Sequence, residues 1–240
     1  MLLRSAFFLF ILIGCSKWVL AQDSGYVFTK PSRDGIGKWY KGREIAAVMG
    51  VGGSFWLERD KRDEEENTQL AIEHIPLQEN SIIADVGAGS GYYTFRMSKR
   101  VPKGKVYALD IQEGMLDILQ SRKKQLNDQR VEVKACSLTS LQLPALSIDF
   151  ALMVDVYHEL EFPREMLQSV YRSLRDTGKL ILIEFRGEDP TVAIKPLHKT
   201  TVVQLNREME ANGFRLSYLG DFLPVQHFLL YEKIPGFTFQ

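Results

Sequence analysis

From Asn80 onward the chain alternates short β-branched apolar runs with longer amphipathic stretches, and this rhythm limits the available folds more than any other feature. Ser81 to Val86 (SIIADV), Lys105 to Asp110 (KVYALD), Val131 to Ala135, Asp149 to Val154 (DFALMV) and Lys179 to Phe185 (KLILIEF) read as five strands. A helical candidate follows each. Between the fourth and fifth, Met166, Leu167, Val170, Tyr171 and Leu174 recur at helical spacing, and Asp176-Thr177-Gly178 stops the helix before the next strand. Strand, helix and strand in regular succession make a parallel sheet. The tail differs: a helix from about Thr200 to Ala211 ends at Asn212-Gly213, and two strands, Phe214 to Leu219 and Gln226 to Glu232, have only Gly220 to Val225 between them. So short a connection requires an antiparallel pair, because a parallel crossover needs about a dozen residues or more. The expected fold is α/β, a doubly wound, mostly parallel seven-stranded sheet with an antiparallel last strand.

Residues 22–75 are unlike the remainder of the chain and are expected to form an N-terminal helical arm or cap on the domain of residues 76–240. An apolar patch (Ile45, Ala46, Val48, Met49), a Gly-Val-Gly-Gly break at 50–53 and Phe55-Trp56-Leu57 fit two helices joined by a glycine loop. The second would start near Asp60 and run to about His74, with Asp63, Glu64, Glu65 and Glu66 near its N-terminal end as a solvated face. Residues 1–21 read as an export signal: Arg4 is basic, Ser5 to Cys15 is nearly all apolar, and Ala21 is the small residue signal peptidases prefer. The apolar run is too short for a transmembrane span, which takes about 20 residues. Leu12-Ile13-Gly14-Cys15 also resembles a bacterial lipobox, so a lipid anchor at Cys15 is the one membrane attachment expected. Either route leaves Cys136 as the lone thiol, without an intramolecular disulfide. With 30 Lys+Arg against 30 Asp+Glu, the chain lacks the basic excess of a nucleic-acid binder.

The chemistry begins where the first strand runs into Asp85-Val86-Gly87-Ala88-Gly89-Ser90-Gly91. Glycines let backbone approach a ligand closely, and the amides of the following helix attract negative charge. The dinucleotide fingerprint fails because position 92 is tyrosine, and the phosphate loop fails because no lysine follows Gly91. The pattern D-x-G-x-G-x-G resembles motif I of the class I S-adenosylmethionine (SAM) methyltransferases, of Rossmann-like fold. The resemblance implies SAM as cofactor, with Asp85, Gly87, Ala88, Gly89 and Gly91 around its amino-acid part. Asp110 ends the second strand 25 residues beyond Asp85, and its two carboxylate oxygens suit a ribose cis-diol; Ile111 follows it. The resemblance continues through Asp155, a further cofactor candidate, and through Leu174-Arg175-Asp176-Thr177-Gly178-Lys179-Leu180, which has Asp-Thr where the family has Pro-Gly. Cys136-Ser137-Leu138 stands where the family often has an acid on the adenine amine, leaving backbone amides and packing for that ring. The arm and the segments MVDVYHE, EFRGEDP, KPLHK and QHFLLYE together resemble an uncharacterised group of bacterial exported methyltransferases.

In a doubly wound sheet the ligand lies across the carboxyl ends of the strands. Asp155-Val156-Tyr157-His158-Glu159 and Glu184-Phe185-Arg186-Gly187 leave two of those ends and are expected to hold the methyl acceptor, which the sequence does not identify. His158, His198 and His227 map to this edge, whereas His74 reads as structural. His158 is the expected general base, with Asp155 or Glu159 as its orienter. No metal is assigned, although His158, His198 and His227 with a carboxylate are the residues that could hold one. Two other classes stay open: a SAM-fold protein that binds without catalysis, and a metal-dependent enzyme using these histidines.

Overall fold

The computed structural model describes residues 25–239; the leader and the lipobox, with Cys15, lie outside the described residues. The described chain opens with strands rather than a helix. β1 (Tyr26–Phe28), β2 (Gly35–Tyr40) and β3 (Arg43–Ala46) form an antiparallel sheet in that order, which corrects the helix expected over the first half of the arm. The cause is local: Lys41 and Gly42 both take positive φ (48° and 93°), the two-residue turn that matches the twist of paired strands. Tyr40 thereby sits opposite Arg43, and Tyr40, Ile45 and Ala46 are buried.

After a short 3-10 turn at Val51–Gly53, three helices follow: α1 (Ser54–Leu57), α2 (Arg62–Glu66) and α3 (Thr68–His74). The helix expected from Asp60 to His74 is therefore present but broken. Asn67 adopts a left-handed conformation (φ 52°), ends α2, and caps α3 through its side chain. Asp63, Glu64 and Glu65 are solvated as expected. Glu66 is instead fully buried, holding Arg59 at 2.6 Å and Arg62 at 2.9 Å.

The main domain follows the predicted rhythm: β4 (Ile82–Val86), α4 (Thr94–Met97), β5 (Lys105–Asp110), α5 (Glu113–Leu126), β6 (Val131–Ala135), β7 (Ile148–Val154), α6 (Pro163–Ser173), β8 (Leu174–Phe185), α7 (Val202–Glu210), β9 (Phe214–Gly220) and β10 (Gln226–Lys233). The seven strands lie in the order β6-β5-β4-β7-β8-β10-β9, with β10 antiparallel to both neighbours. This is the Rossmann-like methyltransferase arrangement. Asp176-Thr177-Gly178 lies within β8, not before it: Ile148 pairs with Leu174 and Phe150 with Lys179, so the tripeptide is the excess that the pairing loops out.

Each face of the sheet has its own core. Ile181 and Ile183 pack on one side with Phe95, Leu119 and Phe228; Leu180 and Leu182 pack on the other with Leu167, Val170 and Leu205. Burying each such side chain contributes about 1.5–3 kcal/mol, and continuously apolar strands are what a doubly covered parallel sheet needs. Strand order reverses between β4 and β7. The crevice at their carboxyl ends is where an open α/β sheet binds its ligand.

Candidate active site

The loop after β4 is held from behind and from the side. Gly87, Gly89 and Gly91 all have positive φ (69°, 54° and 81°). A Cβ on Gly87 would lie 2.7 Å from Val156, and one on Gly91 2.6 Å from Phe95, so these two glycines are required by packing. A Cβ on Gly89 would meet Leu57 of α1 at 2.8 Å, because the arm lies directly on the loop. Asp110 at the end of β5 pins this arrangement: Gly89 N–H donates to its Oδ2 (3.0 Å) and Gln112 N–H to its Oδ1 (2.9 Å). Burial raises the Asp110 carboxyl above its ordinary range. Asp85 is buried behind the loop, accepts from Thr94 Oγ1 at 2.5 Å, and is pushed up to about 6, chiefly by burial. A cavity of about 660 Å³ opens in front, within the range of roughly 300–1,000 Å³ usual for small-molecule sites. Gly87, Gly89, Asp110 and Ile111 line it; Asp85, Ala88 and Gly91 shape the loop without reaching its wall.

The arm forms the opposite wall. Met49, Trp56, Leu57 and Arg62 line the cavity. The segment is fastened by Gln112 Nε2, which donates to Met49 O (3.0 Å), by Ser90 Oγ, which donates to Glu58 at 2.6 Å, and by the Glu58–Arg122 ion pair. Arg59 turns away, stacking 3.8 Å over Trp56 and pairing with Glu65 and Glu66. No residue of α1 is fully buried.

The segment leaving β7 carries the most unusual groups. Asp155 sits in the left-handed region (φ 52°), a conformation that costs a non-glycine residue energy and clusters at functional sites. Its Oδ2 accepts from Gln226 Nε2 (2.7 Å), while its buried Oδ1 has no hydrogen-bond partner. Burial, then the charges of Glu66 and Glu184, hold this carboxyl well above the ordinary range.

The 3-10 turn Tyr157–Glu159 presents His158, whose Nδ1 lies 2.6 Å from Glu184 Oε2. A carboxylate only accepts, so Nδ1 carries the proton and Nε2 is the accepting nitrogen. Glu184 is thus the orienter, in place of the expected Asp155 or Glu159. It is fully buried on β8 and also accepts from Val156 N–H (3.2 Å) and Tyr157 N–H (2.8 Å). His158 Nε2 lies 3.1 Å from His198 Nδ1, which lies 3.3 Å from Glu159 Oε1. Behind the turn, Arg43 of β3 forms a two-point pair with Glu208 of α7 (2.8 and 2.9 Å) and donates Nη1–H to His158 O (3.0 Å). Tyr157 OH donates to the same Glu208 at 2.7 Å.

His158, Glu159, Asp155 and His198 all line the cavity. His227 does not: it starts β10 at the expected edge but pairs with Glu188 at 2.7 Å. His74 stacks on Phe222 at 3.8 Å, a structural contact as expected. Cys136 also lines the cavity, with its thiol pushed up by burial to about 12, which makes it a poor nucleophile at neutral pH. Beside it Ile111 and Leu138 are each 42% exposed, two large apolar side chains open at the cavity rim. Sequence reasoning placed Glu184 among residues expected to hold the acceptor, whereas it is fully buried behind His158 and does not line the cavity; its role as orienter was missed, as was Arg62. The signal for Glu184 was there to be read, since an acid inside the run LILIEF must be buried and therefore paired.

Residues 84–182 match the family described as a methyltransferase domain. The chain is 33% identical over 132 residues to an uncharacterised methyltransferase-like protein of Schizosaccharomyces pombe, covering 55% of this chain and 49% of that one. It spans about half the length of the curated relatives it matches. Among solved structures, a SAM-dependent methyltransferase from Aquifex aeolicus superposes with a TM-score of 0.72 at 25% identity, covering 77% of this chain and 98% of that one. The [4+2]-cyclase SpnF also superposes, with a TM-score of 0.57 at 20% identity over 64% of this chain and 58% of that one. These likenesses support the class I SAM methyltransferase superfamily and leave the acceptor open.

Proposed function

We propose that the chain is a SAM-dependent methyltransferase acting on a small, largely apolar acceptor that carries a hydroxyl, thiol or amine. The observation that carries this reading is the unpartnered, buried Asp155 Oδ1 at a cavity edge that also holds Gly89, Asp110 and Arg62. Asp155 would accept from the ammonium of the amino-acid end of SAM, and Arg62 would face its carboxylate. Each Asp110 oxygen spends one acceptor site on a backbone N–H, which leaves one apiece for the two ribose hydroxyls. Ile111 and Leu138 offer apolar surface to the flat adenine ring, in place of the acid that this sequence lacks.

When bound, SAM supplies a methyl group on a positively charged sulfur, already electrophilic. The protein's own task is then to align the acceptor, exclude water and take up a proton. Leu57 and Trp56 close the wall against solvent, and Leu160, Met166 and Ile194 line an apolar acceptor side. His158 Nε2, with its partner nitrogen fixed on Glu184, would receive the acceptor's proton once the acceptor replaces His198 Nδ1, which lies 3.1 Å from it. Export belongs to the same proposal, supported by the charge and apolar pattern of residues 1–21 and by the resemblance to an exported group; the mass of the mature N-terminus tests it.

The test of the main reading has two stages. Calorimetry should detect binding of SAM and of S-adenosylhomocysteine, and incubation with SAM and a panel of phenols, thiols and amines should yield a methylated product by mass spectrometry. Binding without any product across the panel would favour the non-catalytic alternative; no binding of either nucleoside would overturn the proposal.

A further inference from the structure

We infer that His158 Nε2, His198 Nδ1 and Glu159 Oε1 form a binding site for a divalent transition metal of the zinc type. The three atoms stand 3.1, 3.3 and 3.9 Å apart. The point equidistant from donors so spaced lies about 2.0 Å from each, the usual length of zinc–nitrogen and zinc–oxygen bonds. Two imidazoles and one carboxylate are a donor set that zinc and related ions favour. The donors are drawn from the turn after β7 and from the 3-10 turn Pro196–His198, 40 residues apart.

The surroundings are those of a metal site. Ligating histidines almost always donate their second ring N–H to a carboxylate, a backbone carbonyl or water, which fixes the ring and raises its basicity. Glu184 does this for His158 at 2.6 Å, and it is fully buried with two backbone N–H groups and His158 as its hydrogen-bond partners. Glu159 is steadied in turn by Met49 N–H at 3.2 Å. Asp155, Glu159 and Glu184 place three carboxyl groups at this corner, and the two buried arginines of the region are committed to other acids, Arg43 to Glu208 and Arg62 to Glu66. All three donors line the cavity, so remaining coordination positions would face a ligand rather than protein.

The site stands on this geometry and does not depend on methyl transfer. Taken with the proposed function, it would give the acceptor oxygen, sulfur or nitrogen a Lewis acid to bind. Coordination would make the acceptor more acidic, so that its proton passes to water, whereas in metal-free protein it would pass to His158.

The experiment is zinc titration of chelator-treated protein by competition with a chromophoric chelator, with Co²⁺ as spectroscopic probe. One ion per chain and a visible Co²⁺ band characteristic of low coordination number are expected. His198→Ala and Glu159→Gln should each weaken zinc at least 10-fold, and Glu184→Gln about 10- to 100-fold without removing a donor atom. His227→Ala, outside the cluster, should leave affinity unchanged, and circular dichroism should show each variant folded. SAM affinity measured on the same variants separates failure of this inference from failure of the methyltransferase reading. Zinc affinity unaltered in His198→Ala and Glu159→Gln, or lowered equally in His227→Ala, would mean adventitious binding only and overturn the site.

Discussion

Asp110→Asn tests the cofactor assignment more sharply than truncation to alanine, because the carboxylate braces the loop and, in the proposed function, also holds the ribose diol. Its oxygens each accept one backbone N–H, from Gly89 at 3.0 Å and Gln112 at 2.9 Å. Asparagine has one oxygen and one NH₂, so a donor must face a donor at one of those positions. Leaving that N–H without an acceptor costs about 1–3 kcal/mol, which for a chain of this size lowers the melting temperature by roughly 2–12 °C. The variant also presents one diol acceptor where the wild type presents two, and that one is uncharged. Losing a charge-assisted bond costs about 1.5–3 kcal/mol, or roughly 10- to 150-fold in SAM affinity by calorimetry. There is a pH signature as well. Burial raises the Asp110 pKa, and the diol binds the charged form, so wild-type SAM affinity should fall as pH drops through that raised value. Asp110→Asn should lack this dependence. A folded variant that melts lower yet binds SAM within twofold of wild type would show that Asp110 only braces the loop.

Asp85 is protonated up to about pH 6 when folded but only to its ordinary 3.8 when unfolded, so stability should fall as pH rises through that window, by at most about 3 kcal/mol. Asp85→Asn should remove this slope, so that the variant gains in melting temperature relative to wild type between pH 4 and 7; parallel curves would refute the assignment. Glu184→Ala strands two backbone N–H groups and His158 and should cost about 3–5 kcal/mol in urea unfolding, against about 1–2 for Glu184→Gln; equal costs would contradict the buried network. Leu57→Ala trims a half-buried side chain that lies on Gly89, and should weaken SAM about fivefold with little change in melting temperature. The reverse ranking would make α1 a structural strap.

The main sheet was legible because each strand is a short apolar run bounded by turn residues, and because a connection as short as 220–225 admits only an antiparallel pair. The arm was not. Ile45, Ala46, Val48 and Met49 have a spacing that serves a helix or a strand, and the Lys41-Gly42 turn that decides between them is a weak signal in isolation. The break at Asn67 depends on one residue accepting a left-handed conformation that Asn tolerates but does not require. Within the site, Gly87, Gly89, Asp110 and Asp155 were placed by their strand ends. The pairing of His158 with Glu184 and His198 depends on contacts spanning 26 and 40 residues, which no local pattern encodes. His227 reached the predicted edge and then found Glu188, so edge position alone did not decide which histidines meet.

Arg43 joins the start of the described chain to its far end, and this has a consequence for the order in which the molecule is built. Its guanidinium is synthesised 165 residues before Glu208, the carboxylate that neutralises it, and the same guanidinium carries the carbonyl of His158. Burying an arginine ahead of its partner is strongly unfavourable, so the turn Tyr157–Glu159 cannot be completed while α7 is still missing. The strands β4 and β5 pair locally and are free of that constraint. In pulse-labelled hydrogen exchange during refolding, amides of β4 and β5 should therefore gain protection before those of Tyr157 to Glu159, and the opposite order would contradict the argument. A growing chain would acquire the half of the crevice proposed to hold the nucleoside first, and the corner around His158 only once α7 had emerged.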